Sequence, residues 1–319
     1  MKMNGNRTCI RAVARGVFAR WPQVLLLLLW PVASLAAGRL TLEGPLVQGG
    51  LVEGRVPAGA KVTFEGRAVH VSDGGIFLIG FGRKSPPKVD LTVTFPDGSK
   101  QRRTLQIKQR KYKIQQIDGL PSKMVTPDEK DLDRIYGEIA QIKKTRSRDD
   151  ARTDFLTGFI WPAVGRISGV YGSQRVLNGE PRQPHFGVDV AVPTGTPVLA
   201  PADGIVSLAH PDMYYTGGTL VLDHGHGLSS SYFHLSRILV KDAQRVHQGD
   251  VIAEVGATGR VTGAHLHWSL NLFERPLDPQ LLMKSKLARV APSSPQVTAS
   301  SREDDSEATG GAEPAGLGR

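Results

Sequence analysis

Apolar and polar residues first alternate between Leu40 and Gln109. Leu40-Thr-Leu42, Lys61-Val-Thr-Phe64, Ala68-Val-His-Val71 and Leu91-Thr-Val-Thr-Phe95 repeat at period two, which sends every second side chain to one face of a strand. Asp73-Gly74-Gly75 and Asp97-Gly98 separate them as hairpin turns, since glycine tolerates the positive φ such turns require. Short strands spaced by turns predict a small β-sandwich of immunoglobulin-like type over residues 38–110. The period then changes. Leu132, Ile135, Ile139 and Ile142 recur at helical spacing, so 111–157 reads as a linker carrying an amphipathic helix whose apolar stripe packs on a neighbouring domain. Thr126 is the expected N-cap, with Pro127 in the first turn and Glu129 completing a capping box. Strand patterns return over 158–285, and the most regular is His265-Leu-His-Trp-Ser-Leu-Asn-Leu-Phe273. Its alternation places His265, His267, Ser269 and Asn271 on one face and Leu266, Trp268, Leu270 and Leu272 on the other. Residues 286–319 are rich in Ser, Pro, Gly and acid. They hold too little apolar surface to offset chain entropy, and a disordered tail is expected there. The fold class is therefore mainly β, in two domains.

The first 37 residues follow a different logic. Arg7, Arg11, Arg15 and Arg20 precede the apolar run Val24-Leu-Leu-Leu-Leu-Leu-Trp30, and small residues follow as Ala33-Ser-Leu-Ala-Ala37. A basic region, a short apolar region and a small-residue cleavage site make a secretory signal peptide over 1–37. Export to the periplasm or beyond the cell follows, with inner-membrane anchoring the outcome if the signal is not cleaved. Cys9 is the single cysteine, so a mature chain has no thiol nucleophile and no disulfide.

Charge sharpens the picture. The formal net charge is +10; five cations sit before residue 21 and the tail beyond Ser301 is net −3, which leaves the body at +8. A basic body suits a polyanionic partner. Zinc-finger spacing, an RNP-like aromatic motif and a basic helix are all missing, which argues against nucleic acid. HExxH, GxSxG and P-loop patterns are missing too, which removes thermolysin-type, serine-hydrolase and nucleotide-binding chemistry.

Histidines remain as the carriers of chemistry. Seven of the nine fall between His210 and His267. His185-Phe-Gly-Val-Asp189 offers an imidazole and a carboxylate that a straight strand would hold ~13 Å apart at ~3.3 Å per residue. The chain must bend between them, and Gly187 supplies the freedom. On the His265–Phe273 strand both histidines point into one polar cleft, and Tyr232 and His234 are presented together by Ser231-Tyr-Phe-His-Leu235. His224, in Asp223-His-Gly-His-Gly227, reads as structural or as a substrate edge. His70 reads as structural or exposed, and His210 and His247 as exposed.

From Pro184 to Leu281 the sequence resembles the lysostaphin/LytM-type zinc metallopeptidases, which cut peptidoglycan cross-bridges. The resemblance rests on His185-Phe-Gly-Val-Asp189, Gly195-Thr-Pro-Val-Leu-Ala-Pro-Ala-Asp-Gly204, Tyr232-Phe-His-Leu235, Gly256-Ala-Thr-Gly259, Gly263-Ala-His-Leu-His267 and Asp278-Pro279. It departs at Phe233 and Ala264, where Ala and Pro are common; neither change removes a functional group. It implies a lysostaphin-like domain over 158–285 with one zinc ion per chain on His185, Asp189 and His267, and a metal-free catalytic pair His234 and His265. It further implies endopeptidase action on peptidoglycan by metal-activated water. The alternative is a non-catalytic relative that binds and activates other wall hydrolases. Such relatives typically lose metal ligands, and all five site residues are present here.

Overall fold

The computed structural model describes residues 39–285 together with Leu287 and Ala288. The expected signal peptide and nearly all of the expected tail lie outside these residues. Among the described residues no helix is long and apolar enough to cross a membrane.

Strands Thr41–Glu43, Leu51–Arg55 and Ile76–Gly80 form an antiparallel three-stranded sheet. Strands Arg67–Val69, Lys61–Phe64, Lys88–Thr94 and Lys100–Gln106 form a four-stranded one. Alternation does the work expected of it. Val62, Phe64, Val89, Leu91, Val93 and Leu105 turn inward from one sheet to meet Val52, Phe77 and Ile79 from the other. The three-stranded sheet is apolar on its second face as well. Leu51, Ile76 and Leu78 point away from that core and pack on Phe155, Phe159, Leu228, Leu270 and Leu277 of the following domain. At roughly 2 kcal/mol for each fully buried aliphatic side chain, these three residues make the N-terminal layer an integral support. The Arg110–Asp278 ion pair, at 2.7 Å, and the bond from Arg275 Nη1 to Gly80 O, at 2.6 Å, reinforce the seam.

The linker is more than a helix. Ile114–Ile117 pairs in parallel with Gln174–Leu177, which in turn pairs with Glu180–Pro181. A short helix, Ser122–Val125, precedes the 18-residue helix Glu129–Arg146. The capping box does not form: Asp128, rather than Thr126, is the N-cap, and its side chain makes no capping bond. The stripe is also narrower than its spacing suggests. Ile135 is buried, but Ile139 is exposed, and Glu138 takes the buried position instead. Its carboxylate accepts from the Tyr214 backbone N–H at 2.7 Å and from Arg134 Nε at 2.7 Å. A paired carboxylate at a strand terminus has displaced an apolar contact.

The second domain is built on a long sheet ordered 245–246, 204–213, 217–223, 228–238, 266–272, 188–191, 166–169. Val188, Val190, Leu220, Leu222, Tyr232, Leu266 and Trp268 project from one face into a dry core. The opposite face carries the polar residues of the site.

Candidate metal centre

Three adjacent strands and the turn before one of them bring the site together. Asp189, on Val188–Ala191, lies directly across from His267 on Leu266–Leu272. Both neighbours of Asp189 are core valines, so alternation forces its carboxylate to the other face. His185 precedes the strand and folds back over Asp189. The bend expected at Gly187 is present, but glycine is needed there for room: a Cβ would stand 2.6 Å from both His267 Nε2 and Trp268 O. Gly169 plays the same part on the far side, where a Cβ would collide with Asp189 Oδ2.

The three donor atoms converge. His185 Nε2 lies 2.9 Å from His267 Nδ1 and 2.9 Å from Asp189 Oδ1, and His267 Nδ1 lies 2.8 Å from Asp189 Oδ1. His185 Nδ1 donates to Val170 O at 3.2 Å, which fixes the tautomer and leaves Nε2 as the free donor atom. Two imidazoles and one carboxylate are the ligand set zinc favours. Tetrahedral bonds of ~2.0–2.1 Å separate ligand atoms by ~3.3 Å, so this triangle would fit the ion after opening by about half an ångström. Among the described residues it is the only such group of three. Burial alone would raise the Asp189 pKa, but hydrogen bonds from His185 and His267 hold it well below the usual carboxylate value. Burial lowers His267 to about 4 against the pull of Asp189, so Asp189 stands as a carboxylate and His267 as a neutral imidazole, the charge states that metal binding needs.

His234 and His265 stand beside this triangle, with ring centroids 4.9 Å apart. Alternation would have sent His234 into the core with Tyr232, and Tyr232 does go there, its hydroxyl 2.7 Å from Ser230 Oγ. His234 escapes because its backbone is left-handed, at φ 65°, a costly conformation for a non-glycine residue. The twist turns its ring back to the site, where Nδ1 donates to Thr258 O at 2.9 Å. The two side chains are therefore not presented together, as spacing alone suggests. His265 is anchored likewise, Nδ1 to Gly263 O at 2.9 Å, with Nε2 3.8 Å from Asp189 Oδ1. Phe233 takes the alternating place instead and stacks on the His267 ring at 5.1 Å.

Beyond His267 the same face continues through Ser269, Ser231, Asn271 and Ser229, but not as an open cleft. The end of the long helix and residues 147–153 lie over it: Arg146 Nη2 donates to Ser231 Oγ at 3.3 Å, Arg152 Nη2 bonds Asp223 at 2.7 Å, and the His226 backbone N–H donates to Asp150 O at 3.0 Å. All four of these sheet residues are buried as a result.

His224 is a core residue. Its Nδ1 donates to Asp203 O at 2.6 Å and its Nε2 accepts from Ser230 at 2.8 Å. Burial lowers its pKa from 6.5 to about 4. The unfolded chain regains the ordinary value, so between these limits it binds more protons than the folded one. Stability from His224 is complete above pH 6.5 and is lost as pH falls toward 4, on the order of 3 kcal/mol in all. Urea unfolding of chelated protein should show a midpoint that declines steadily from pH 7 to 4.5; a flat profile would contradict this placement.

Sequence reasoning missed one polar neighbour of the site. Arg175 Nη2 donates to Asp189 Oδ2 at 3.0 Å, from the hairpin 174–181. No local pattern announces this contact, which depends on the hairpin docking against the linker strand.

The sheet thus brings two imidazoles and a carboxylate to one point, with two more imidazoles alongside. Residues 183–279 match peptidase family M23, so this part of the chain is a domain of that family. It is 46% identical over 116 residues to the peptidoglycan DD-endopeptidase ShyA of Vibrio cholerae, a match covering 35% of this chain and 26% of that protein. Over 122 residues it is 34% identical to a lipoprotein NlpD/LppB homolog of Pseudomonas aeruginosa, covering 38% of each. The chain thus spans about a quarter of the length of ShyA. A crystal structure of a Pseudomonas aeruginosa peptidase M23 is 29% identical with a TM-score of 0.55, covering 74% of this chain and 94% of that one. That likeness takes in far more than the matched domain.

Proposed function

We propose that this chain is a zinc-dependent endopeptidase that cuts peptide cross-links of bacterial peptidoglycan. The observation that carries the reading is the intact pair of free imidazole nitrogens next to a complete donor triangle. His185, Asp189 and His267 would hold one zinc ion, which when bound supplies a lowered water pKa and a polarised scissile carbonyl. His234 gives its Nδ1 proton to Thr258 O, so Nε2 is an acceptor. Burial, with the nearby His267 and His265, keeps its pKa near 3. It orients the attacking water by accepting a hydrogen bond, and it stays neutral while doing so. His265 also anchors Nδ1 on a carbonyl, but its side chain reaches solvent, so it is the group placed to carry a proton between water and leaving amine. The basic body favours an anionic, extended polymer.

The activator reading draws support from the likeness to the NlpD/LppB homolog. An activator has no need for His234 to hold a strained backbone over a complete donor set. Product analysis after incubation of the zinc-loaded protein with cross-linked peptidoglycan separates the two. New free amines that vanish with a zinc chelator support the peptidase; full zinc occupancy with no new amine from any cross-linked wall preparation supports the activator. Export to the periplasm or cell wall belongs to the same proposal, and the mature N-terminus is expected at Ala37 or Gly38.

A further inference from the structure

We propose that Arg175 and Arg182, facing each other across one hairpin beside Asp189, form with Arg260 a subsite for a free carboxylate on the peptide. The inference rests on the peptidase reading and names what the enzyme recognises next to the bond it cuts.

Val176 pairs with Pro181 and Leu177 with Glu180 in the hairpin. The same register sets Arg175 opposite Arg182, whose backbone N–H donates to Arg175 O at 2.9 Å. Directly opposed residues place their side chains on one face with Cβ atoms ~4.5–5.5 Å apart, and like charges there are destabilising. Each arginine has only part of its fork engaged. Arg175 gives Nη2 to Asp189 Oδ2, and Arg182 gives Nη2 to Val125 O at 2.9 Å. The Nε of each is buried and has no acceptor among the described residues. Arg182 pairs with no carboxylate among the described residues. A buried N–H without an acceptor costs ~1–3 kcal/mol, and two at one place call for an oxyanion.

The third cation arrives from another loop. Arg260 lies two residues beyond Thr258, the anchor of His234, and its guanidinium sits 4.2 Å from the Tyr215 ring centroid. Burial lowers its pKa, Tyr215 pulls it back up, and Arg175 and Arg182 lower it by repulsion, so the three cations are close enough to feel one another. Arginine forks match carboxylates in two-point geometry. An acidic group on the substrate, held here, sets the peptide in register against His234 and His265.

The test uses two cross-linked peptide dimers that differ only in free against amidated carboxylates. Wild-type zinc protein should cleave the free acid at least ~10-fold better, through KM, as expected for a charge-assisted hydrogen bond. Arg182→Gln and Arg260→Gln should each bring that preference toward unity while leaving the amidated dimer cut at close to its wild-type rate. Arg182→Lys should restore part of it. Equal cleavage of both dimers by wild type, or equal loss on both in the variants, overturns the subsite. Binding of the same dimers, fluorescein-labelled, to full-length His265→Ala keeps this apart from the peptidase reading. Preference for the free acid that Arg182→Gln abolishes supports the subsite even where no bond is cut; equal affinity for the two dimers refutes it.

Discussion

Asp189→Ala should bind zinc at least ~100-fold more weakly than the parent and release no amines from cross-linked wall, whereas His265→Ala should keep a full equivalent of zinc and lose activity by a comparable factor. The contrast follows from the donor triangle. Asp189 contributes one of three converging atoms, all within 2.8–2.9 Å of one another, and would neutralise part of a bound ion's charge. Its removal leaves two imidazoles, and Arg175, whose guanidinium donates to the Asp189 carboxylate, then faces no anion. His265 stands outside the triangle, its Nε2 3.8 Å from Asp189 Oδ1, and its removal opens no gap among the donors. Metal content by mass spectrometry beside amine release reads both effects at once. Zinc lost equally from the two variants, or retained by Asp189→Ala, would show that the ligands are assigned in the wrong register.

A single methyl group should do nearly as much damage. In Gly187→Ala the new Cβ would lie 2.6 Å from His267 Nε2 and 2.6 Å from Trp268 O. The oxygen belongs to a strand paired on both sides and cannot retreat, so the imidazole must rotate out of the triangle. We expect zinc affinity to fall ~10- to 100-fold and the thermal midpoint of the zinc-free protein to drop by several degrees, in line with ~1–3 kcal/mol for overpacking. Wild-type zinc affinity in this variant would show that the ring has a second place to sit.

Which of these residues would share a metal was implied only by the resemblance to the lysostaphin/LytM-type metallopeptidases, but the two local motifs, His185 and Asp189 around a glycine and His265 two before His267, were legible in the sequence. The meaning of Gly187 was not, since the atom it avoids comes from residue 267. Arg175 escaped for a related reason. Its contact with Asp189 exists only once the hairpin has docked beside Ile114–Ile117, a pairing that spans about sixty residues and leaves no periodic trace. Period-two reasoning failed at His234, where one left-handed residue reverses the facing of the side chain and leaves Tyr232 in the core. Helical spacing failed at Ile139 for an electrostatic reason: Glu138 finds a backbone N–H to bind and takes the inward position. The β-rich character of both domains, by contrast, could be read directly from alternation and turn glycines.

The sheet Thr41–Glu43, Leu51–Arg55, Ile76–Gly80 belongs to two hydrophobic cores at once, one through Val52, Phe77 and Ile79 and the other through Leu51, Ile76 and Leu78. Gene fusion readily shuffles units joined by a tether, but a unit whose strands are wall to its neighbour is inherited only together with that neighbour. Substitutions at Leu228 or Leu270 must suit Leu78 as well as the sheet they sit in, so the two halves of this chain are bound to drift in concert, and a foreign catalytic domain grafted onto residues 38–110 would find the wrong surface waiting for it.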